Sequence, residues 1–175
     1  MAEFGLTVTD ATGTGNILDN TIRGNNAANL IDGGAGIDTV SYVGDTAGVN
    51  VRLDGSIATG GSAEGDQLFA IENLIGGSGA DTLGGAIGTN SIDGGDGNDT
   101  ISGFGGVDTL KGGLGTDTID FLSYAAAGVT VSLAKLTAQV TGGGGTVTLS
   151  GFENIAGSNL ADILTGCSDG TGHHL

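Results

Sequence analysis

Apolar residues recur every nine positions along much of this chain, separated by Gly, Asp, Asn and Thr. From Gly76 to Asp120 five nonapeptides run head to tail: GGSGADTLG (76–84), GAIGTNSID (85–93), GGDGNDTIS (94–102), GFGGVDTLK (103–111) and GGLGTDTID (112–120). Their eighth positions are Leu83, Ile92, Ile101, Leu110 and Ile119, all aliphatic. A single apolar residue between two small or polar ones predicts a strand of about three residues with one buried face. The glycines before it predict a tight loop, because glycine takes positive φ without steric cost. Nine residues cannot close a turn of a sheet structure, but two nonapeptides can. The period therefore predicts 18 residues per turn, with two parallel sheets facing each other across aliphatic rows and turns stacked about 4.8 Å apart. Loops two repeats apart then share a side: 76–84, 94–102 and 112–120 on one, 85–93 and 103–111 on the other.

The frame extends both ways. Upstream lie GNILDNTIR (15–23), GNNAANLID (24–32) and GGAGIDTVS (33–41), with Asn20, Asn29 and Asp38 sixth and Ile22, Ile31 and Val40 eighth. QLFAIENLI (67–75) carries Glu72 and Leu74 at those places, and GSNLADILT (157–165) carries Asp162 and Leu164. A longer repeat is superimposed. SYVGDTAGVNVRL (41–53) resembles SYAAAGVTVSL (123–133), and AIENLIGGSGADTLGG (70–85) resembles GFENIAGSNLADILTG (151–166). The spacers 42–75 and 121–156 are 34 and 36 residues long, close to four nonapeptides, and read as degenerate turns that keep the stack in phase. In them Val49, Val51 and Leu53, and again Val129, Val131 and Leu133, alternate with polar residues as half-buried strands do. Segments 55–66 and 141–145 have turn chemistry and are expected to bulge out and to be the most mobile parts. The expected organisation is a lead-in over 1–14, one elongated stack over 15–165 and a tail over 166–175. Within the stack, 15–41 is a first repeat cluster, 42–75 a spacer, 76–120 the core block, 121–156 a second spacer and 157–165 the last rung.

Composition narrows the partners. The 175 residues include 38 Gly and no Pro or Trp, and 20 acidic residues face only Arg23, Arg52, Lys111 and Lys135, for a formal net charge of −16. A nucleic-acid binder needs a basic stripe, and an anionic membrane surface repels such a chain. Cations are the natural partners. No apolar run reaches about 18 residues, so no membrane-spanning helix is expected. Cys167 is alone, which leaves no internal disulfide. The start, MAEFGLTVTD, lacks the basic and apolar regions of a secretory signal peptide.

Asp or Asn at every sixth position of the core block supplies the chemistry. Carbonyls from the glycine loop and a carboxylate closing it make an oxygen-only cage, which suits a hard cation and Ca²⁺ above all. Gly-Gly-x-Gly-x-Asp-x-apolar-x, five times in register, resembles the RTX (repeats-in-toxin) family, whose haemolysin-type repeat is a calcium-binding signature. The resemblance implies an all-β fold, the parallel β-roll or right-handed β-solenoid. It also implies how ions are held, with carbonyls from two adjacent loops joined by both aspartates. Two ions then lie between the loops of Asp81, Asp99 and Asp117. They would use Gly76, Gly77, Gly79, Gly94, Gly95, Gly97, Gly112, Gly113 and Gly115 through their backbones, with Ser78, Asp96 and Leu114 as further carbonyls. The opposite side, with Asn90, Gly103, Gly106 and Asp108, is the weaker, since Ala86 and Phe104 replace the second glycine. One more site is expected at Gly33, Gly34, Gly36 and Asp38. Glu72 and Glu153 follow no glycine-rich loop and are expected to accept backbone N–H bonds instead. RTX proteins leave Gram-negative bacteria through a type I secretion apparatus and fold outside. The tail GCSDGTGHHL does not resemble the secretion signal of that route, so the chain is expected to be a monomeric piece of a larger secreted protein.

Two other classes fit less well. Catalysis needs a cluster of Arg, Lys, His or Tyr. Here Tyr42 and Tyr124 sit in a repeated Ser-Tyr that reads as strand packing, and His173 and His174 close the chain. The seventh-position row of Thr82, Thr100 and Thr118 could meet a carbohydrate or ice lattice, although Thr also simply suits exposed strand positions.

Overall fold

The computed structural model describes residues 4–7 and 11–166. The lead-in over 1–14 is therefore covered only in part, and Cys167, His173 and His174 lie outside the described residues. The aliphatic rows are sandwiched between two layers of short strands. One layer is an eight-stranded sheet in the order β1 (Phe4–Thr7), β3 (Asn20–Arg23), β5 (Thr39–Ser41), β8 (Asn73–Ile75), β10 (Ser91–Asp96), β12 (Val107–Leu114), β16 (Thr146–Ser150) and β15 (Gln139–Val140). The facing layer consists of β2 (Thr12–Thr14), β4 (Leu30–Asp32) and β7 (Gln67–Phe69), then β6 (Asn50–Arg52), β9 (Thr82–Gly84), β11 (Thr100–Ser102), β13 (Thr118–Asp120) and β17 (Asn154–Ala156). β14 (Thr130–Ser132) pairs with β18 (Ile163–Thr165). Every strand pair is parallel except β15–β16. Among the described residues there is no α-helix, only a 3₁₀ turn at Gly61–Ala63. The chain is a parallel β-roll.

Asn73, Ser91 and Thr109 align across one layer and Thr82, Thr100 and Thr118 across the other, which sets 18 residues per turn. The eighth-position residues Ile22, Ile31, Val40, Leu74, Leu83, Ile92, Ile101, Leu110, Ile119 and Ile155 are all buried between the layers. Each contributes about 1.5–3 kcal/mol by leaving water. Most strands have three residues, but β10 has six and β12 eight. There the ladder runs on into the glycine loops, with Gly95 opposite Gly113 and Asp96 opposite Leu114, because the loops themselves stack in register.

The spacers do something other than add regular turns. Thr39 pairs with Asn73 and Thr118 with Asn154, so each spacer advances its own layer by one strand. Two 18-residue turns would advance it by two. The rest of each spacer widens the opposite layer. β6 pairs upward with β9 while β7 pairs back to β4; in the second copy β14 pairs with β18 while β16 pairs back to β12. An antiparallel segment ties each divergent pair. Asn50 and Thr59 exchange N–H···O bonds of 2.7 and 3.0 Å, and Thr130 N–H donates to the Thr141 carbonyl at 3.0 Å. Segment 55–66 is thus no simple bulge, since Ala58, Ala63 and Asp66 are buried. The reason lies in GSAEGDQLF (61–69), a nonapeptide with Asp66 sixth and Leu68 eighth. The shortened step from Leu68 to Leu74 hides it from a nine-residue frame.

That shortened corner needs a left-handed residue, and the two copies supply different ones. Ala70 stands there at φ 50° and its counterpart Gly151 at φ 65°. An L residue in this region costs about 1–2 kcal/mol. Ala70→Gly should therefore stabilise the folded protein by about 0.5–1 kcal/mol after the entropy of the added glycine. Gly151→Ala should cost more than that gain, because a Cβ would also stand 3.1 Å from the Gly113 nitrogen. Thermal unfolding of both variants checks the pair, and a loss of stability in Ala70→Gly would contradict it.

Candidate metal centre

The sixth-position side chains form two ladders, one down each edge of the roll. On the first edge, Val49 N–H donates to Asp81 Oδ1, Asp81 N–H to Asp99 Oδ1 and Asp99 N–H to Asp117 Oδ1, each at 2.8 Å. Asp117 N–H donates to Glu153 Oε2 at 2.8 Å. On the second edge, Asn20 N–H donates to Asp38 Oδ1 and Asp38 N–H to Glu72 Oε2, both at 2.8 Å. Asn90 Nδ2 then donates to the Glu72 carbonyl, and Asn90 N–H to Asp108 Oδ1 at 3.0 Å. Each carboxylate thus accepts the backbone N–H of its neighbour one rung away. Glu replaces Asp at the two shortened corners, where its extra methylene spans the longer gap to the backbone. The resulting geometry repeats: Glu72 and Asn73 N–H groups share the Asp38 carbonyl, as those of Glu153 and Asn154 share that of Asp117.

These carboxylates are out of water. Asp38, Asp81, Asp99, Asp108 and Asp117 are each at most 2% exposed. Desolvation raises all five above the ordinary carboxylate range, Asp99 and Asp108 to about 6. The ion pairs Arg52–Asp54 and Lys111–Asp93 involve none of them. A buried charge without a counter-charge costs several kcal/mol.

The loops come in two states, distinguished by the backbone conformation of the second residue. In the closed state its N–H bonds the sixth side chain of the same loop: Asn16 to Asn20, Asn25 to Asn29, Gly77 to Asp81 and Ala86 to Asn90, at 2.7–2.9 Å. In the open state the second residue is left-handed: Gly34 at φ 95°, Gly95 at 100°, Phe104 at 62° and Gly113 at 126°. Its amide then makes no such bond. Oδ2 of the corresponding Asp38, Asp99, Asp108 and Asp117 is buried with no hydrogen-bond partner. Four carboxylate oxygens are thus held dry, unpaired and next to stacked loop backbone. Buried polar groups are rarely left so.

Backbone oxygens crowd the same places. A Cβ on Gly95 or Gly97 would overlap the carbonyl oxygen of Gly77 or Gly79, and one on Gly113 or Gly115 that of Gly95 or Gly97. On Gly94 it would overlap both the Gly112 carbonyl and Asp99 Oδ2. Among the described residues no three His, Cys, Asp or Glu side chains converge on one point, so a bound ion would depend on backbone carbonyls. Carboxylate plus carbonyl is the donor set of a hard cation such as Ca²⁺, and the residues fit it.

The structure brings Gly76, Gly77, Gly79 and Asp81 together with the loops of Gly94–Asp99 and Gly112–Asp117. It also places Asp38 on the same edge as Asn90 and Asp108, linked through Glu72, a continuity that the spacer hides in the sequence. The Leu114 carbonyl accepts Gly97 N–H at 2.8 Å, and the Gly77 carbonyl accepts Asp96 N–H at 3.2 Å. Asp162 is a polar turn residue: Oδ1 accepts the Ser158 hydroxyl and the Val129 N–H, which hold its carboxyl below the usual range. Asp66 escaped the repeat count altogether. Its Oδ1 accepts Asn29 N–H at 2.8 Å and its Oδ2 the Tyr42 hydroxyl at 3.0 Å, so this sixth-position carboxylate is satisfied within the protein.

No curated protein matches the chain. The family comparison finds the RTX calcium-binding nonapeptide repeat, in four copies, over residues 14–41 and 84–119. Those stretches contain all four open loops, whereas Asp81, Glu72 and Glu153 of the ladders lie outside them. Residues 14–41 and 84–119 thus carry RTX calcium-binding nonapeptide repeats.

Proposed function

We propose that this chain is a non-catalytic module of a secreted bacterial protein that binds several Ca²⁺ ions and folds as it does so. One observation carries the reading: the buried, unpartnered carboxylate oxygens of Asp38, Asp99, Asp108 and Asp117, set against stacked glycine loops. When bound, Ca²⁺ supplies the missing counter-charge and cross-links neighbouring turns. On the first edge Asp81, Asp99 and Asp117 would hold two ions with the carbonyls of loops 76–81, 94–99 and 112–117. On the second, Asp108 with Asn90, Gly103 and Gly106, and Asp38 with Gly33, Gly34 and Gly36, would hold others. RTX repeats are typical of secreted bacterial proteins, and among the described residues no helix is long and apolar enough to cross a membrane. Extracellular calcium modules typically bind with Kd of about 10⁻⁴–10⁻³ M. Such a site stays empty in a calcium-poor cytosol and fills outside, which suits export of an unfolded chain by a type I apparatus.

Calorimetric titration with Ca²⁺ and Mg²⁺, with ion counting by native mass spectrometry, tests the reading. Several Ca²⁺ ions should bind and Mg²⁺ poorly, since Mg²⁺ demands near-octahedral geometry and keeps its waters. A chain that takes up neither ion would end it.

A further inference from the structure

A phenol lies beside a sixth-position carboxylate twice, at Tyr42 and at Tyr124, with different outcomes, although the fold aligns Tyr42 with Phe121 rather than with Tyr124. In the first copy the Tyr42 hydroxyl donates to Asp66 Oδ2, and both groups are satisfied. In the second copy the residue corresponding to Asp66 is Val147, which cannot accept. The strand register sets Val147 beside Asp108. The Tyr124 hydroxyl is buried with no hydrogen-bond partner, and so is Asp108 Oδ2. Both oxygens converge on Gly103. Asp108 Oδ2 occupies the space where a Gly103 Cβ would stand, and the Tyr124 hydroxyl lies near the Gly103 and Phe104 amides without completing a hydrogen bond to either.

The loop between them is held open at a cost. Phe104 is left-handed, a region that a bulky side chain occupies only under constraint. The constraint is a stack along the roll axis: the Arg52 guanidinium lies 4.0 Å from the Phe104 ring centroid, and the Phe104 and Tyr124 centroids are 4.9 Å apart. Cation–π and ring contacts of this kind hold the ring in place against the strain. By contrast, the preceding loop on this edge, with Ala86 second, is closed.

We propose that loop 103–108 holds a divalent cation in a site that the Tyr124 hydroxyl completes, a neutral oxygen standing where the missing second glycine weakens the repeat. This rests on the calcium-module reading and extends it to a side chain outside the repeat motif. A hard cation takes both oxygens at once, which a direct hydrogen bond in this geometry does not.

Terbium is the probe, a hard cation whose emission is sensitised by a tyrosine close to it. The full chain contains only Tyr42 and Tyr124 and no Trp. Loaded with Tb³⁺, it should emit on tyrosine excitation, and Ca²⁺ should compete the signal away. Tyr124→Phe and Asp108→Asn should each lose most of the emission while Tyr42→Phe keeps it. Native mass spectrometry should count one cation fewer in Asp108→Asn, a change that leaves the Asn90 N–H an oxygen acceptor. Circular dichroism separates the two readings, because both variants should still fold with calcium through the first edge. Emission unchanged in Tyr124→Phe, emission that follows Tyr42, or an unchanged ion count in Asp108→Asn would overturn the Tyr124 site while leaving the module intact. A chain that takes up no cation at all would overturn both.

Discussion

Stripped of calcium at neutral pH, the protein should lose most of its far-ultraviolet β signal and regain it as calcium returns to the millimolar range. Two terms oppose the metal-free fold. Each of the 38 glycines loses roughly 0.5–1 kcal/mol more on ordering than Ala would, and each unpaired buried carboxylate costs several kcal/mol more. The opposing core is a narrow double row of Leu, Ile and Val. The pH dependence of the metal-free chain follows from the same carboxylates. In the folded state Asp99 and Asp108 titrate at about 6, raised by desolvation, against about 3.9 when unfolded. A carboxylate whose folded pKa is raised favours folding below its unfolded pKa and loses that contribution as pH rises through its folded value. Dialysed free of metal, the chain should therefore gain β structure as pH falls from 7 toward 4. The calcium-loaded protein should weaken over the same range, since protonation competes with the ion. Superimposable spectra with and without calcium at pH 7 would show that the fold does not depend on the metal.

Asp99→Asn should raise the calcium midpoint of folding more than the same change at Asp117 or Asp81, by about tenfold or more for a loss of ~1.4 kcal/mol. Asp99 sits in the middle of the first ladder, with Asp81 and Asp117 on either side. The amide keeps an oxygen for the Asp81 N–H and removes only the charge; at Asn20 and Asn90 an amide oxygen likewise accepts a backbone N–H, that of Asn16 and of Ala86 in the same loop. Asp81 differs because both of its oxygens are bonded within the chain, to Val49 and Gly77 N–H. Asp81→Asn can keep only one of these, so it should lower stability by about 1 kcal/mol at every calcium concentration. A calcium titration followed by circular dichroism reads all three variants, and equal midpoints would refute the ordering.

Much of this was legible from residue spacing. The period of nine fixes the turn length, the paired layers, the buried eighth positions and the stacking of alternate loops. The loop states were not legible. Loop 76–81 carries the full glycine motif yet is closed, and loop 103–108 lacks the second glycine yet is open. Both follow from partners distant in sequence. Loop 76–81 rests on the first spacer, where Ser78 N–H donates to the Asp45 carbonyl at 2.7 Å. Phe104 is clamped between Arg52 of β6 and Tyr124. A repeat motif reports what a loop permits, while its neighbours along the axis select the state. Asp66 was missed for a different reason: a three-residue contraction at the corner after it breaks the frame.

The placement of the two widened layers has a consequence of parity. Each spacer makes one face of the roll broader than the other, like a wedge between courses of brick. Five nonapeptides separate the spacers, and because each one carries the chain from face to face, an odd number sets the second wedge opposite the first. β7 and β6 diverge on one face, β16 and β14 on the other. A tilt introduced by the first would be opposed by the second. Gaining or losing repeats in pairs preserves this balance, whereas a change of one would put both wedges on the same side and curve the rod.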